Sequence, residues 1–263
     1  MERKWTNMEE LDLDPRLGPL VLYTRRFSVL VDAGVSLMRC FELLQDATGD
    51  PAIAAANAEL SKKVGDGMQM SAAMAERPEL FPAFYIAFVR AGEIGGVLDE
   101  ALAYLAAWLE QERAAAERLR TNMLLAQLTA RVTDGAAASG IGRRVAEALR
   151  EARRVARVAS FCRLFEMCLT AGVPMKLALA TAADILPEPG AKRVREGAEA
   201  LGTDAPIAPI LAEVAELRTV VSPMVATGEE HACLDHMLRK AAEFYDAEAA
   251  DVLHSAARLP AEA

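Results

Sequence analysis

A pattern written twice constrains this chain more than any other feature. Phe27 is followed by Ala33-Gly34-Val35, then by Gly92-Glu93, Leu98-Asp99 and Trp108. The series returns as Phe165, Ala171-Gly172-Val173, Gly228-Glu229, Leu234-Asp235 and Phe244. The first group recurs at an offset of 138 residues and the second at 136. An internal repeat of this length predicts two copies of one fold, each with its own core.

The copies are expected to be helical. Hydrophobic residues make up 53% of the 263, but aromatics only 5%. Ala, Leu, Glu and Arg dominate, and the β-branched runs that strands need are missing. In the first copy, Leu20, Tyr23, Phe27, Leu30 and Val31 share one face of a helix over 17–33. Gly34 is placed to end it in a left-handed cap. Further helices are predicted over 36–47, 51–64 and 71–76, from Pro82, and from Leu98 past Arg118, with Gly92 to Gly96 as a turn. Glu93 and Glu229 recur at the same place and are expected to fix that turn by accepting backbone N–H bonds. Asp99 and Asp235 suit the first turn of the helix that follows. The second copy carries breakers at Gly172, Pro187–Gly190, Gly202, Pro206, Pro209 and Gly228.

The expected architecture is therefore all-α: two tandem antiparallel bundles of about six helices each. The boundaries are a polar tail over 1–16, bundle one over 17–120, a connector over 121–150, bundle two over 151–252 and a tail over 253–263. The clearest linker is Val132 to Gly142, small and glycine-containing.

The net charge of −9 argues against nucleic acid as a partner. Residues 1–118 carry −7, 119–160 carry +5 and 161–263 carry −7, so two acidic parts flank a basic connector. Within 143–160, Ile141, Val145, Leu149, Ala152, Val155, Ala156 and Ala159 fall on one side of a helix. Arg143, Arg144, Arg150, Arg153, Arg154 and Arg157 occupy most of the rest. Such a face is a solvated helix surface, a contact for anionic lipid or an acidic partner, or a dock for one of the chain's own acidic parts.

No catalytic order or cofactor motif is present, and an enzyme is not expected. Gly92-Glu93-Ile94-Gly95-Gly96 lacks the Lys-Ser/Thr of a phosphate loop. His231, Cys233 and His236 have the ingredients of a metal site, and in a helix Cys233 and His236 would share a face; a solvated turn with a packed cysteine is the simpler reading. Cys162 and Cys168, six apart, fall on different sides of a helix, and the thiols read as free and buried in a reducing cytoplasm. Met68, Met70, Met74, Met123, Met167, Met175, Met224 and Met237 read as core filling before they read as an adaptable groove. No stretch reaches the ~18 uninterrupted apolar residues of a membrane span, and 1–16 lacks the apolar region of a signal peptide.

Over Leu17–Arg118 the chain resembles the cytoplasmic domain of the type II secretion system F family, the GspF/PilC platform proteins. The residues that carry the resemblance are FSVLVDAGVSL at Phe27, VGDGMQMSAAM at 64–74 and LFPAFYIAFVRAGEIGGVLDEAL from Leu80. The second copy keeps ARVASFCRLFEMCLTAGVPM and GEEHACLDHML. It has Val220-Val221 in place of the Phe-Pro entry and Ala232 in place of Gly96. The resemblance implies a non-enzymatic platform that couples a secretion ATPase to pilin or pseudopilin assembly. Its expected partners are that ATPase, inner-membrane platform proteins and a second copy or a paralogue through bundle faces. Family members carry membrane spans between and after the two domains. Here only Leu119–Arg144 and nothing past Ala263 stand in those places. This implies a location in the cytoplasm or on the cytoplasmic face of the inner membrane, and an alternative role as a regulatory paralogue.

Overall fold

Glycine and proline at short intervals cut the described residues of the computed structural model into thirteen helices, with no strand among them. The described residues are 17–47, 49–130, 136–202 and 205–258. The first half contains α1 (Leu17–Asp32), α2 (Leu37–Ala47), α3 (Pro51–Gly65), α4 (Met70–Ala75), α5 (Ala83–Gly95) and α6 (Leu98–Ala130). The second contains α7 (Ala136–Thr170), α8 (Met175–Ala183), α9 (Glu188–Ala200), α10 (Ala208–Ala212), α11 (Ala215–Arg218), α12 (Val221–Glu230) and α13 (Leu234–Arg258).

The two halves pack their helices in the same pairs. α1 lies on α6 as α7 lies on α13, α5 on α6 as α12 on α13, α2 on α3 as α8 on α9, and α4 on α5 as α10 on α12. The short α11 is the one described helix of the second half without a counterpart. The halves are not separate cores, however. Their buried side chains form a single continuous cluster, joined where α5 and α6 meet α7 and α8. The expectation of one core per copy is corrected by that joint.

Three boundaries also move. The linker expected over Val132–Gly142 is helical from Ala136, where α7 begins, and 131–135 lie outside the described residues. The C-terminal tail expected from 253 is helical to Arg258. The turn expected over Gly92–Gly96 is helical through Gly95, and Gly228 likewise lies inside α12. Glycine inside a helix costs roughly 1 kcal/mol against alanine, so a tertiary reason is needed. It is a close approach: a Cβ on Gly92 would sit 2.9 Å from Leu98 Cα and Ala101 Cβ, and one on Gly228 would sit 2.9 Å from Leu234 Cα. Both glycines let a helix press its backbone against the start of the next.

The first-copy core is built around aromatic rings. Phe27 and Phe41 have centroids 5.7 Å apart, and Phe81 and Tyr85 5.6 Å, all fully buried. Each such ring stabilises by roughly 1.5–3 kcal/mol through burial. A polar network runs through this core. Tyr23 donates to Asn57 Oδ1 at 3.1 Å, Asn57 Nδ2 to the Phe41 carbonyl at 2.8 Å, and Thr24 to Tyr85 Oη at 3.1 Å. In the second copy the counterparts of Tyr23, Thr24 and Tyr85 are Phe161, Cys162 and Val221, all buried, and the counterpart of Asn57 is Arg195, which pairs with Asp184 and Glu188. Replacing both partners of a buried hydrogen bond together leaves nothing unsatisfied, which makes such a change nearly neutral.

The ends of α1 and α7 close the same way. Gly34 (φ 74°) donates to the Val31 carbonyl at 2.9 Å and Val35 to Leu30 at 3.0 Å. Gly172 (φ 74°) donates to Leu169 at 2.9 Å and Val173 to Cys168 at 2.9 Å. Both are left-handed glycine caps that satisfy the last carbonyls. At the end of α5 the cap is Gly96 at φ 70°, but at the equivalent end Ala232 is forced to φ 53°. A side chain in that region is strained by about 1–2 kcal/mol, partly offset by alanine's smaller unfolded-state entropy. Ala232→Gly is therefore expected to stabilise the protein by about 0.5–1 kcal/mol. A thermal melt is expected to shift upward by about 1–4 °C, and an unchanged or lowered midpoint would contradict the assignment.

Candidate interaction site

The repeated Gly-Glu pair is a clamp between helices. α5 carries Glu93 back toward the start of α4, where Oε1 accepts from the Met70 amide at 2.5 Å and Oε2 from the Ser71 amide at 3.0 Å. α12 carries Glu229 to the start of α10, where it accepts from Ile207 at 2.6 Å and Ala208 at 3.3 Å. Both carboxylates hold backbone N–H groups, as their recurrence in the sequence implies. Their targets lie in a helix about 22 residues earlier, not in their own turn. Neither Gln69 before α4 nor Ile207 before α10 supplies a side-chain cap. The remote carboxylate satisfies two of the amides that the helix leaves without a partner, with the helix dipole in its favour. Asp99 and Asp235 lie in the first turns of α6 and α13, where their spacing places them. Phe27 and Phe165 are fully buried.

The two halves meet at the tip of α5. A Cβ on Gly95 would fall 2.5 Å from Ala171 Cβ and 3.6 Å from a Val173 methyl. The Gly-Gly tip of the first copy is thus pressed onto the Ala-Gly-Val corner of the second. Around it, Tyr104 Oη and Ser160 Oγ are hydrogen-bonded at 3.1 Å. Asp184 holds Arg90 from the first half at 2.9 Å and Arg195 from its own half at 2.7 Å. Burial pushes the Tyr104 hydroxyl up to about 12, against the opposing effect of Ser160, so it stays protonated.

Beside this joint lies a cavity of about 370 Å³. Phe84 and Trp108, 4.2 Å apart, and Glu112 line it from the first half, and Arg153, Arg157 and Ile185 from the second. Arg153 reaches Glu112 at 4.0 Å. Burial raises the Glu112 pKa, and Arg153 counteracts this only in part.

The arginine face is therefore divided. Ala152, Val155 and Ala159 are buried as the spacing implied, and Ala156 is half-buried. Arg153 and Arg157 border the cavity, Arg154 pairs with Glu151 at 2.5 Å, and Arg150 is exposed. Arg143 and Arg144 lie in α7, but their side chains are outside the described residues. The structure does not gather the metal candidates into one cluster. His231 ends α12 with Nδ1 2.9 Å from the Thr227 carbonyl, Cys233 precedes α13, and His236 is exposed on α13. Among the described residues no three His, Cys, Asp or Glu side chains are grouped to hold a metal. Cys40, Cys162 and Cys168 are buried free thiols, with burial raising the Cys168 pKa to about 12. Of the methionines, Met70, Met74 and Met167 are buried, Met68 and Met175 exposed, Met224 and Met237 half-buried, and Met123 outside the described side chains. The joint at Gly95 had only one signal in the sequence: the doubled glycine of the first copy that the second copy lacks.

Two outcomes test this geometry. Glu93→Gln and Glu229→Gln each leave one acceptor where the helix presents two amides. Each is expected to lower stability by about 1 kcal/mol in a denaturant titration, and two neutral substitutions would remove the clamp. Glu112 has a raised folded pKa, so its contribution is most favourable below the usual carboxylate range and declines as pH rises through the folded value. Relative to wild type, Glu112→Gln is therefore expected to be more favourable at about pH 7 than at about pH 4. The reverse order would show that Arg153 outweighs burial.

Comparison with known proteins agrees with the repeat. Residues 23–133 and 161–259 both match the family described as type II secretion system protein F. A type IV pilus assembly protein PilC of Myxococcus xanthus is 30% identical over 104 residues, 40% of this chain and 25% of that protein. A type 4 fimbrial assembly protein PilC of Pseudomonas putida is 36% identical over 102 residues, 39% of this chain and 25% of that protein. A type II secretion system protein F of Xanthomonas campestris is 36% identical over 95 residues, 36% of this chain and 24% of that protein. Each match spans about a quarter of the relative's length. No described helix is long and apolar enough to cross a membrane. With the family match on both segments and the same Gly-Glu clamp in each half, the chain belongs to the type II secretion system protein F family.

Proposed function

We propose that this chain is a non-enzymatic assembly protein of a type II secretion or type IV pilus system. It presents helical surfaces to the secretion ATPase and to other platform components at the cytoplasmic face of the inner membrane. The observation that carries the reading is the double family match, aligned with a helix order and clamp that repeat in both halves. The chemistry of the described side chains agrees with it. The shared geometry of the two halves serves to lock helices together: the Glu93 and Glu229 carboxylates spend their lone pairs on backbone amides. The two acidic parts, −7 each, favour a basic partner surface by long-range attraction.

The test is binding between the purified chain and the purified secretion ATPase of the same organism, followed by biolayer interferometry at two salt concentrations. Saturable binding that weakens with salt is the expected result. No binding to the ATPase or to the platform components would overturn this reading.

A further inference from the structure

The internal joint pairs two different faces. The first copy contributes the α5–α6 face with Gly95 and Tyr104, and the second contributes the α7–α8 face with Ser160 and Ala171. Because the copies share one helix arrangement, each face has a counterpart that the joint leaves uncovered.

Along α7 and into the turn that ends it, Ser160, Met167 and Ala171 follow one side, seven and four residues apart, and Ser160 and Met167 are only 3% and 6% exposed. The same positions along α1 and the turn after it, 138 residues earlier, are Leu22, Val29 and Ala33. Here Leu22 is 45% and Val29 62% exposed, and Ala33 is exposed as well. The first two positions are buried in the second copy and hold exposed aliphatic side chains in the first. The counterpart of the α5–α6 face is on α12 and α13. Trp108, 136 residues earlier, packs on Phe84, whereas Phe244 is 51% exposed. Exposed large apolar side chains that occupy the repeat positions of an existing interface mark a surface that binds.

We propose that the α1 stripe of one chain docks on the α12–α13 face of a second copy of the same chain, repeating the internal joint between molecules. The internal joint shows which kind of face covers such a stripe, and α12–α13 is the face of that kind the fold leaves open. Charge agrees: Arg25 and Arg26 flank Leu22 on α1, Arg25 paired with Glu110 at 2.8 Å, while Glu243 and Glu248 flank Phe244 on α13, Glu243 paired with Lys240 at 2.7 Å. The contact is heterologous, so it leaves one free face of each kind at the ends and extends head to tail. It is also weaker than the joint inside the chain. His231 stands where Gly95 does, and at Gly95 even a Cβ would come within 2.5 Å of Ala171.

Sedimentation velocity on the full chain over a concentration series tests this. Wild type is expected to associate reversibly beyond a dimer. Val29→Arg and Phe244→Arg replace exposed side chains, so each is expected to keep its melting temperature and to run as a monomer. Mixed together, the two variants retain one intact face each and are expected to form a 1:1 dimer that grows no further. His231→Gly, which restores the small residue, is expected to tighten self-association about tenfold. A wild-type chain that remains monomeric at its solubility limit would overturn the proposal. So would a mixture of the two arginine variants that stays monomeric, the sign of a symmetric contact through one face. Unchanged or weaker association of His231→Gly would also count against a contact built like the internal joint.

Discussion

The pressing of one helix backbone against the next at Gly92 and Gly228 is the constraint from which most of this structure follows. Without a Cβ at these positions, α5 can lie against the first turn of α6 and α12 against that of α13. That contact fixes where the next residue points, and the next residue is a glutamate. Its carboxylate then reaches a helix N-terminus that has no cap of its own. Glycine sets the distance and glutamate uses it. The pair holds three helices together in each half, which is a physical reason for the two residues to recur side by side.

The copies are alike in arrangement and different in chemistry, and the differences are consistent with one another. The Tyr23–Asn57 and Thr24–Tyr85 hydrogen bonds of the first copy have no remnant in the second, where Phe161, Cys162 and Val221 replace Tyr23, Thr24 and Tyr85, and Arg195 in place of Asn57 pairs with Asp184 and Glu188. Had only one partner changed, a buried polar group would be stranded at a cost of about 1–3 kcal/mol. The loss of Gly96 is less complete: Ala232 keeps the left-handed backbone without the residue that suits it. The second copy retains the shape of the motif at positions where the backbone, and not the side chain, makes the contacts.

Two similar halves make an asymmetric joint because different faces meet. The tip of the first half enters the corner of the second, and the tip of the second is left free with His231 on it. The arginines of α7 take part in the same joint, two of them bordering the cavity beside Trp108. The basic stretch between the acidic halves thus works partly as an internal contact and leaves Arg150 and the paired Arg154 facing outward.

The sequence alone determined the helical class, the duplication, nearly every helix start in the first copy and the glycine caps at Gly34 and Gly172. These follow from spacing and from backbone preferences, which are local and readable in one dimension. It also marked Glu93 and Glu229 as carboxylates that accept backbone N–H bonds. Only the tertiary structure decided which amides they hold, because the target lies about 22 residues away and is brought near by the packing of α4 on α5. It decided that Gly92 and Gly228 stay helical, since close approach to Leu98 and Leu234 outweighs their poor helix propensity. It decided, finally, that the two copies share one buried cluster. A periodic pattern tells each helix which side to bury, but not which of two equivalent faces will find the other half.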